Sequence, residues 1–210
     1  MSLDFFTHDV AHVEAMNRDG ATIEGEVTRC VKVRAKLPSQ MEGQYDLIIF
    51  AVKQRETHAA ASFIKPFLKE DGCIVTVQNG LPEIELAKFF DRDRIYGCTL
   101  WWSAETVSPG IVRVTSETGF HLGLGAYGKG SRLEEISLLF AHAGVLTVGN
   151  LMELRFAKLS INAAFSTLSA VSGLTFYQLA KKQKKLVLTL MREVFAFARA
   201  YGCEKLPQNG

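Results

Sequence analysis

Apolar and polar positions follow two different periods along this chain, and the change of period divides it. Residues 47–52 (L-I-I-F-A-V) are continuously apolar after Asp46, as expected of a strand covered on both faces. Residues 73–78 (C-I-V-T-V-Q) form a second such run and end in Asn79-Gly80. Helical patterns over 56–68 and 82–90 follow them, and strand–helix alternation predicts a parallel, doubly wound α/β sheet of Rossmann type. Upstream, residues 4–7 read as a short buried strand and 10–16 as a helix stopping at Asp19-Gly20. Residues 21–33 alternate about Gly25 as a two-stranded ribbon would. After a strand at 95–100, residues 111–114 and 120–124 read as antiparallel additions to the sheet. Residues 131–143 predict a helix with Ser131 as N-cap and Glu134 at the capping-box position, and 146–148 closes this half.

From residue 151 onward the period is helical throughout, so the division falls at Gly149-Asn150: a sheet domain over 1–149 and an all-helical domain over 150–210. The helical part has a long segment, then 176–180, then 184–200. The long segment organises the chain. In it Leu154, Ile161, Phe165 and Leu168 recur at helical spacing, and Lys158, Asn162, Ser166 and Ser169 form a polar row beside them. On an unbroken α-helix that row spans roughly 80° of one face. A polar cleft wall would need such a row. A lysine snorkelling to water, with small polar residues at helix crossings, would give it too, so pattern alone leaves both open.

Composition narrows the class. Hydrophobic residues at 48% and charged residues at 22% suit a folded globular protein. A net charge of +2 gives no reason to invoke nucleic acid, and no apolar run reaches membrane-spanning length. Cys30, Cys73, Cys98 and Cys203 form no C-x-x-C, which favours free thiols in a reducing cytoplasm. His8, His12, His58, His121 and His142 show no metal-ligand spacing, so no metal is expected. Trp101 and Trp102 could line a pocket, although aromatic residues near a sheet edge are more often core. The glycines of 123–130 read as a loop and the lysines of 181–185 as a solvated helix face.

Lys53 and Gln78-Asn79-Gly80 each follow a parallel strand at its carboxyl end, where open α/β sheets bind ligands. A solvated lysine and an ordinary Asn-Gly turn are the alternatives. Two loops ending at one sheet edge make a binding role stronger than either alone.

The K-L-S-I-N-A core at 158–163, the L-S-A-V-S-G-L-T that follows, Val52-Lys53, Gln78-Asn79-Gly80 and Pro109-Gly110-Ile111-Val112 resemble motifs of the ketopantoate reductase family, over nearly the whole chain. That resemblance implies NADPH-dependent reduction of the small keto acid 2-dehydropantoate to pantoate, a step toward coenzyme A. It implies Lys158 as the catalytic lysine, Asn162 and Ser166 as substrate contacts, and Lys53, Asn79 and Gly80 at the cofactor. A homo-oligomer is expected because the short helical half cannot bury its own core. Three departures from the family pattern stand out. Ser166-Thr167 replaces Asn-Pro, and Phe176-Tyr177-Gln178 replaces Asn-Gly-Glu. Thr7-His8-Asp9 stands where an arginine is often found, which leaves NAD open beside NADP. The resemblance also leads one to expect that the family's opening strand with G-x-G-x-x-G, and its late catalytic glutamate, lie outside these residues. Two other readings follow: a remnant that keeps the fold for binding or oligomerisation, and a reductase of another 2-keto acid.

Overall fold

A computed structural model describes residues 3–25, 28–115 and 120–204. The strands and helices, in chain order, begin with β1 (Asp4–Phe6), α1 (Val10–Asp19), β2 (Ala21–Glu24), β3 (Arg29–Val31) and β4 (Arg34–Lys36). Next come β5 (Tyr45–Phe50), α2 (Thr57–Ile64), β6 (Leu68–Thr76), α3 (Pro82–Leu86) and β7 (Ile95–Leu100). Then follow β8 (Ala104–Ser108), β9 (Ile111–Val114), β10 (His121–Ala126), α4 (Leu133–Phe140) and β11 (Val145–Val148). Four α-helices complete the described chain: α5 (Leu151–Ile161), α6 (Thr167–Ser172), α7 (Phe176–Lys182) and α8 (Lys184–Ala200).

The main sheet has the order β11-β10-β7-β6-β5, with β5, β6 and β7 parallel and β10 antiparallel to β7. Period-2 alternation sends its side chains to two separate cores. Phe50, Ile74 and Ile95 pack with Ala61 and Ile64 of α2 and Leu86 of α3 on one face. Val75, Tyr96, Cys98, Leu122 and Leu124 meet Ile136 of α4 on the other. The doubly wound α/β expectation therefore holds, as does the helical C-terminal part.

Several elements differ from the sequence reading. Residues 111–114 do not join the main sheet. As β9 they pair with β2 and β8 in a separate sheet of order β3-β2-β9-β8. The cause is the turn before β9: Gly110 at φ +80 donates its N–H to His12 Nδ1 at 3.0 Å, which fastens it to α1. The strand of residues 47–52 is β5, an edge of the main sheet with Ile49 exposed, and so is not covered on both faces. Ser131 does not cap α4. Arg132 precedes that helix, donates its N–H to the Tyr96 hydroxyl at 3.0 Å and pairs with Glu135 at 2.7 Å. The helix of 82–90 shortens to α3, because Lys88 N–H and Phe89 N–H close on carbonyls three residues back. The glycines of 123–130 begin inside β10 rather than in a loop.

These strand glycines let α5 lie on the sheet. Gly97 of β7 and Gly125 of β10 stand opposite one another, as do Thr99 and Gly123. A Cβ on Gly125 would fall 2.7 Å from the Gly149 carbonyl oxygen and 2.8 Å from Leu151 Cα, both backbone atoms that cannot swing away. Asn150 starts α5 by accepting the N–H groups of Met152 and Glu153 at 3.0 and 3.2 Å. On its outer side Phe156, fully buried, meets Phe197 of α8 and Tyr201 with ring centroids at 5.8 and 5.7 Å. Burying such a ring contributes about 1.5–3 kcal/mol. Among the described residues no single helix is long and apolar enough to cross a membrane.

Gly125→Ala tests this close approach. We expect a loss of about 1–3 kcal/mol in urea unfolding, the scale of an overpacked core. An unchanged midpoint would mean that α5 does not rest on the strand as described.

Candidate functional site

The helix that begins with α5 does not run as regular α-helix to Ser172. Residues Asn162–Ser166 form a π-helical turn between α5 and α6. Such turns lodge an extra residue in a helix and concentrate at functional sites. The widening changes the angular arithmetic that places Lys158, Asn162, Ser166 and Ser169 in one row. Ser169 leaves the row and donates to the Leu174 carbonyl at 2.7 Å, where Gly173 at φ +70 ends the helix. Ser166 is exposed, and Asn162 is half-buried. Among the described residues neither of these two side chains has a hydrogen-bond partner, so both are available to a ligand.

Lys158 is half-buried, with its Nζ 5.0 Å from the centroid of the Trp101 ring. Burial lowers its pKa from the ordinary lysine range. The ring face attracts the ammonium and opposes that loss of charge. Trp101 is itself held, since its indole N–H donates to Thr99 Oγ1 at 3.2 Å and Thr99 Oγ1 donates to the Gly123 carbonyl at 3.3 Å. Trp101 is thus a wall of the lysine's environment, the less frequent of the two alternatives for an aromatic near a sheet edge, and not simple core.

The loops of the other half lie beside each other. Lys53 follows β5 and Asn79-Gly80 follows β6; the Gln54 side-chain oxygen lies 3.0 Å from where a Cβ on Gly80 would stand. Lys53 and Asn79 are exposed, and among the described residues neither side chain has a hydrogen-bond partner. Gly80 is at φ +81, a conformation that favours glycine.

Arg155 joins these loops to the lysine. It lies one turn before Lys158 on α5 and is 2% exposed. Its guanidinium donates to the Gln78 carbonyl at 2.6 Å, the Thr76 carbonyl at 3.1 Å and Glu83 Oε1 at 2.9 Å. Glu83, in the first turn of α3, is fully buried. Burial pushes its carboxyl above the usual carboxylate range, while the Arg155 charge and hydrogen bonds pull it back. Its Oε2 is buried without a hydrogen-bond partner. Neither residue was singled out from the sequence. The available signal was an arginine inside an apolar helix, three residues before the lysine, and an acid just after Gln-Asn-Gly-Leu-Pro.

Residues 2–127 match the family described as Ketopantoate reductase PanE/ApbA, and residues 150–209 match its C-terminal part. The chain belongs to the ketopantoate reductase family. A 2-dehydropantoate 2-reductase of Pyrococcus horikoshii is 28% identical over 202 residues, covering 95% of this chain and 64% of that protein. One from Nostoc sp. is 28% identical over 206 residues, covering 90% and 63%. The solved 2-dehydropantoate 2-reductase of Geobacter metallireducens superposes with a TM-score of 0.87 at 27% identity, covering 99% of this chain and 70% of that one. The chain thus spans just under two thirds of the length of these curated ketopantoate reductase relatives.

The environment of Lys158 carries a prediction. In competitive acylation across pH, Lys158 should reach half-reactivity at lower pH than the exposed lysines. Trp101→Leu should lower it further, because the ring favours the ammonium form. A Lys158 that titrates with the surface lysines would overturn this description.

Proposed function

We propose that this chain carries the keto-acid site of an NAD(P)H-dependent 2-dehydropantoate 2-reductase, producing pantoate. The observation that supports this most is the half-buried Lys158 ammonium on Trp101, one turn from an arginine bound to the Gln-Asn-Gly loop. We assign Lys158 as the catalytic residue, Asn162 and Ser166 to the substrate, and Lys53, Asn79 and Gly80 to the cofactor. Residues 1–149 then form the nucleotide domain and 150–210 the substrate and association domain; residues 205–210 lie outside those described.

The side chains available at the loop ends fit the nicotinamide end of a dinucleotide: an unengaged cation, an unengaged amide and a glycine at a close approach. Among the described residues no glycine-rich phosphate cradle is present, since Gly123 and Gly125 are filled against by Thr99, Leu154 and Leu151. The nicotinamide nucleotide, when bound, supplies the hydride. As the keto carbon becomes tetrahedral its oxygen gains charge, and the Lys158 ammonium donates first a hydrogen bond and then its proton there. The product is a hydroxyl, and Lys158 is left neutral until it takes a proton from solvent. Its lowered pKa makes that transfer easier. Asn162, one turn along, offers both a donor and an acceptor to the substrate.

NADP is our cofactor assignment, with NAD the alternative. Asp9 caps α1 by accepting His12 N–H on Oδ1 at 3.0 Å, and its exposed carboxylate keeps further acceptor capacity, which leaves NAD as the alternative. We propose a cytoplasmic protein acting on a small molecule and associating with a second copy through the helical part. There Val171, Tyr177 and Phe197 are 83, 66 and 59% exposed. Neither nucleic acid nor a membrane enters this proposal. A second reading, a reductase of another 2-keto acid, is favoured by Trp101 at Lys158 and by Phe176, packed at a tilt on Phe165 with centroids 5.2 Å apart where the family has a small polar motif.

A screen of 2-dehydropantoate and other 2-keto acids with NADPH and NADH tests both readings. Lys158→Met should cost turnover about 10²–10⁴-fold. It should not destabilise the fold at neutral pH, because it removes a desolvated charge. Relative to this variant, the wild type should gain stability as pH rises from the lowered Lys158 pKa toward the ordinary lysine range, since its unfolded chain then holds the extra proton. Undiminished turnover in this variant would end the assignment.

A further inference from the structure

We infer that Arg155, acting through Gln78, is a positioning residue that sets Asn79 and Lys53 against Lys158 by one continuous buried hydrogen-bonded relay. The relay starts on α5. Arg155 donates to the Gln78 carbonyl at 2.6 Å and to the Thr76 carbonyl at 3.1 Å, which fixes the last residues before Asn79. Gln78 carries it onward. Its side-chain N–H groups donate to the Val52 carbonyl at 2.7 Å and to Thr57 Oγ1 at 2.9 Å, and its side-chain oxygen accepts from Thr76 Oγ1 at 3.0 Å. Val52 is the residue before Lys53, and Thr57 opens α2 after that loop. Thr57, Thr76, Gln78, Glu83 and Arg155 are each less than a tenth exposed, so water competes little for these bonds.

The relay is asymmetric. Apart from Glu83 Oε2, its interior members are spent on one another, whereas Asn79 and Lys53, which follow its ends, keep side chains without hydrogen-bond partners among the described residues. Rigid supports under unengaged tips are what a pre-organised site requires. A guanidinium suits the junction because its planar fork reaches several acceptors in fixed directions, which an ammonium does not. Glu83 holds that fork in place. Gly97 leaves room for the pair, since a Cβ there would overlap Glu83 and stand 2.9 Å from Arg155 Nη2.

This inference rests on the reading above for which groups do the work, but its test does not need turnover. Hydrogen exchange is followed by mass spectrometry in Gln78→Met and in Glu83→Gln/Arg155→Met, the latter removing both buried charges together. In the double variant, segments 76–81 and 51–56 should both exchange roughly tenfold faster, with 153–158 nearly unchanged. In Gln78→Met the 51–56 segment alone should loosen. Arg155→Lys keeps a charge beside Glu83 if the double variant fails to fold, and should still loosen 76–81. Where keto-acid reduction is detectable, kcat should fall by up to about 10²-fold with little change in KM. Uniformly faster exchange across the chain would reduce Arg155 to a merely structural role, and wild-type exchange in both loops would overturn the relay. Loop loosening in a protein that reduces no keto acid would leave the relay standing and remove the functional reading.

Discussion

A buried ion pair, Arg155 with Glu83, is the contact on which the candidate site depends. It crosses from the helical part to the sheet part, and both partners are out of water. Desolvating two charges is expensive, and the pair persists because the guanidinium is also satisfied by two backbone carbonyls. Such pairs add little net stability compared with well-packed apolar residues. What they supply here is direction: only one placement of α5 on the strands of the sheet meets all the acceptors.

The glycine strands make that placement reachable. With Gly97, Gly123 and Gly125 beneath it, α5 descends onto β7 and β10 until its side chains fill the space over Gly97 and Gly123 and its backbone at Leu151 closes on Gly125. Asn150 sets where the helix begins, so the register of Arg155 and Lys158 follows from one cap. One turn beyond Lys158 the π-helical stretch opens the helix and presents Asn162 without a hydrogen-bond partner among the described residues. Backbone geometry, a charged junction and a held indole together leave a cation half out of water against the Trp101 ring, three residues from the arginine that holds the Gln-Asn-Gly loop.

The parts legible in the sequence were those governed by repetition. The runs at 47–52 and 73–78 read as parallel strands from their apolar patterning, although the first is an edge strand and not covered on both faces, and the start of α5 at Asn150 showed as a change of period. Lys158, Lys53 and Asn79 stood out by chemistry and by family resemblance. What sequence could not carry was pairing across distance. Nothing local marks Glu83 as the partner of Arg155, 72 residues away, or His12 as the acceptor that draws Gly110 to α1. The π-helical turn was hidden as well, since the residues around Asn162 suit a regular helix equally. For Trp101 pocket wall and core were both open, with core favoured because an aromatic beside a strand end usually is, and only the fold lays its face against an ammonium.

The most direct measurement is a double-mutant cycle between Arg155 and Glu83 on the free energy of unfolding. Each single removal strands a buried charge and should cost about 3–5 kcal/mol. The double replacement should cost far less than their sum, with a coupling of roughly 1–3 kcal/mol or more. Additive losses would show that the two charges do not meet, and the docking of α5, through Arg155, onto the Gln-Asn-Gly loop would then have no anchor.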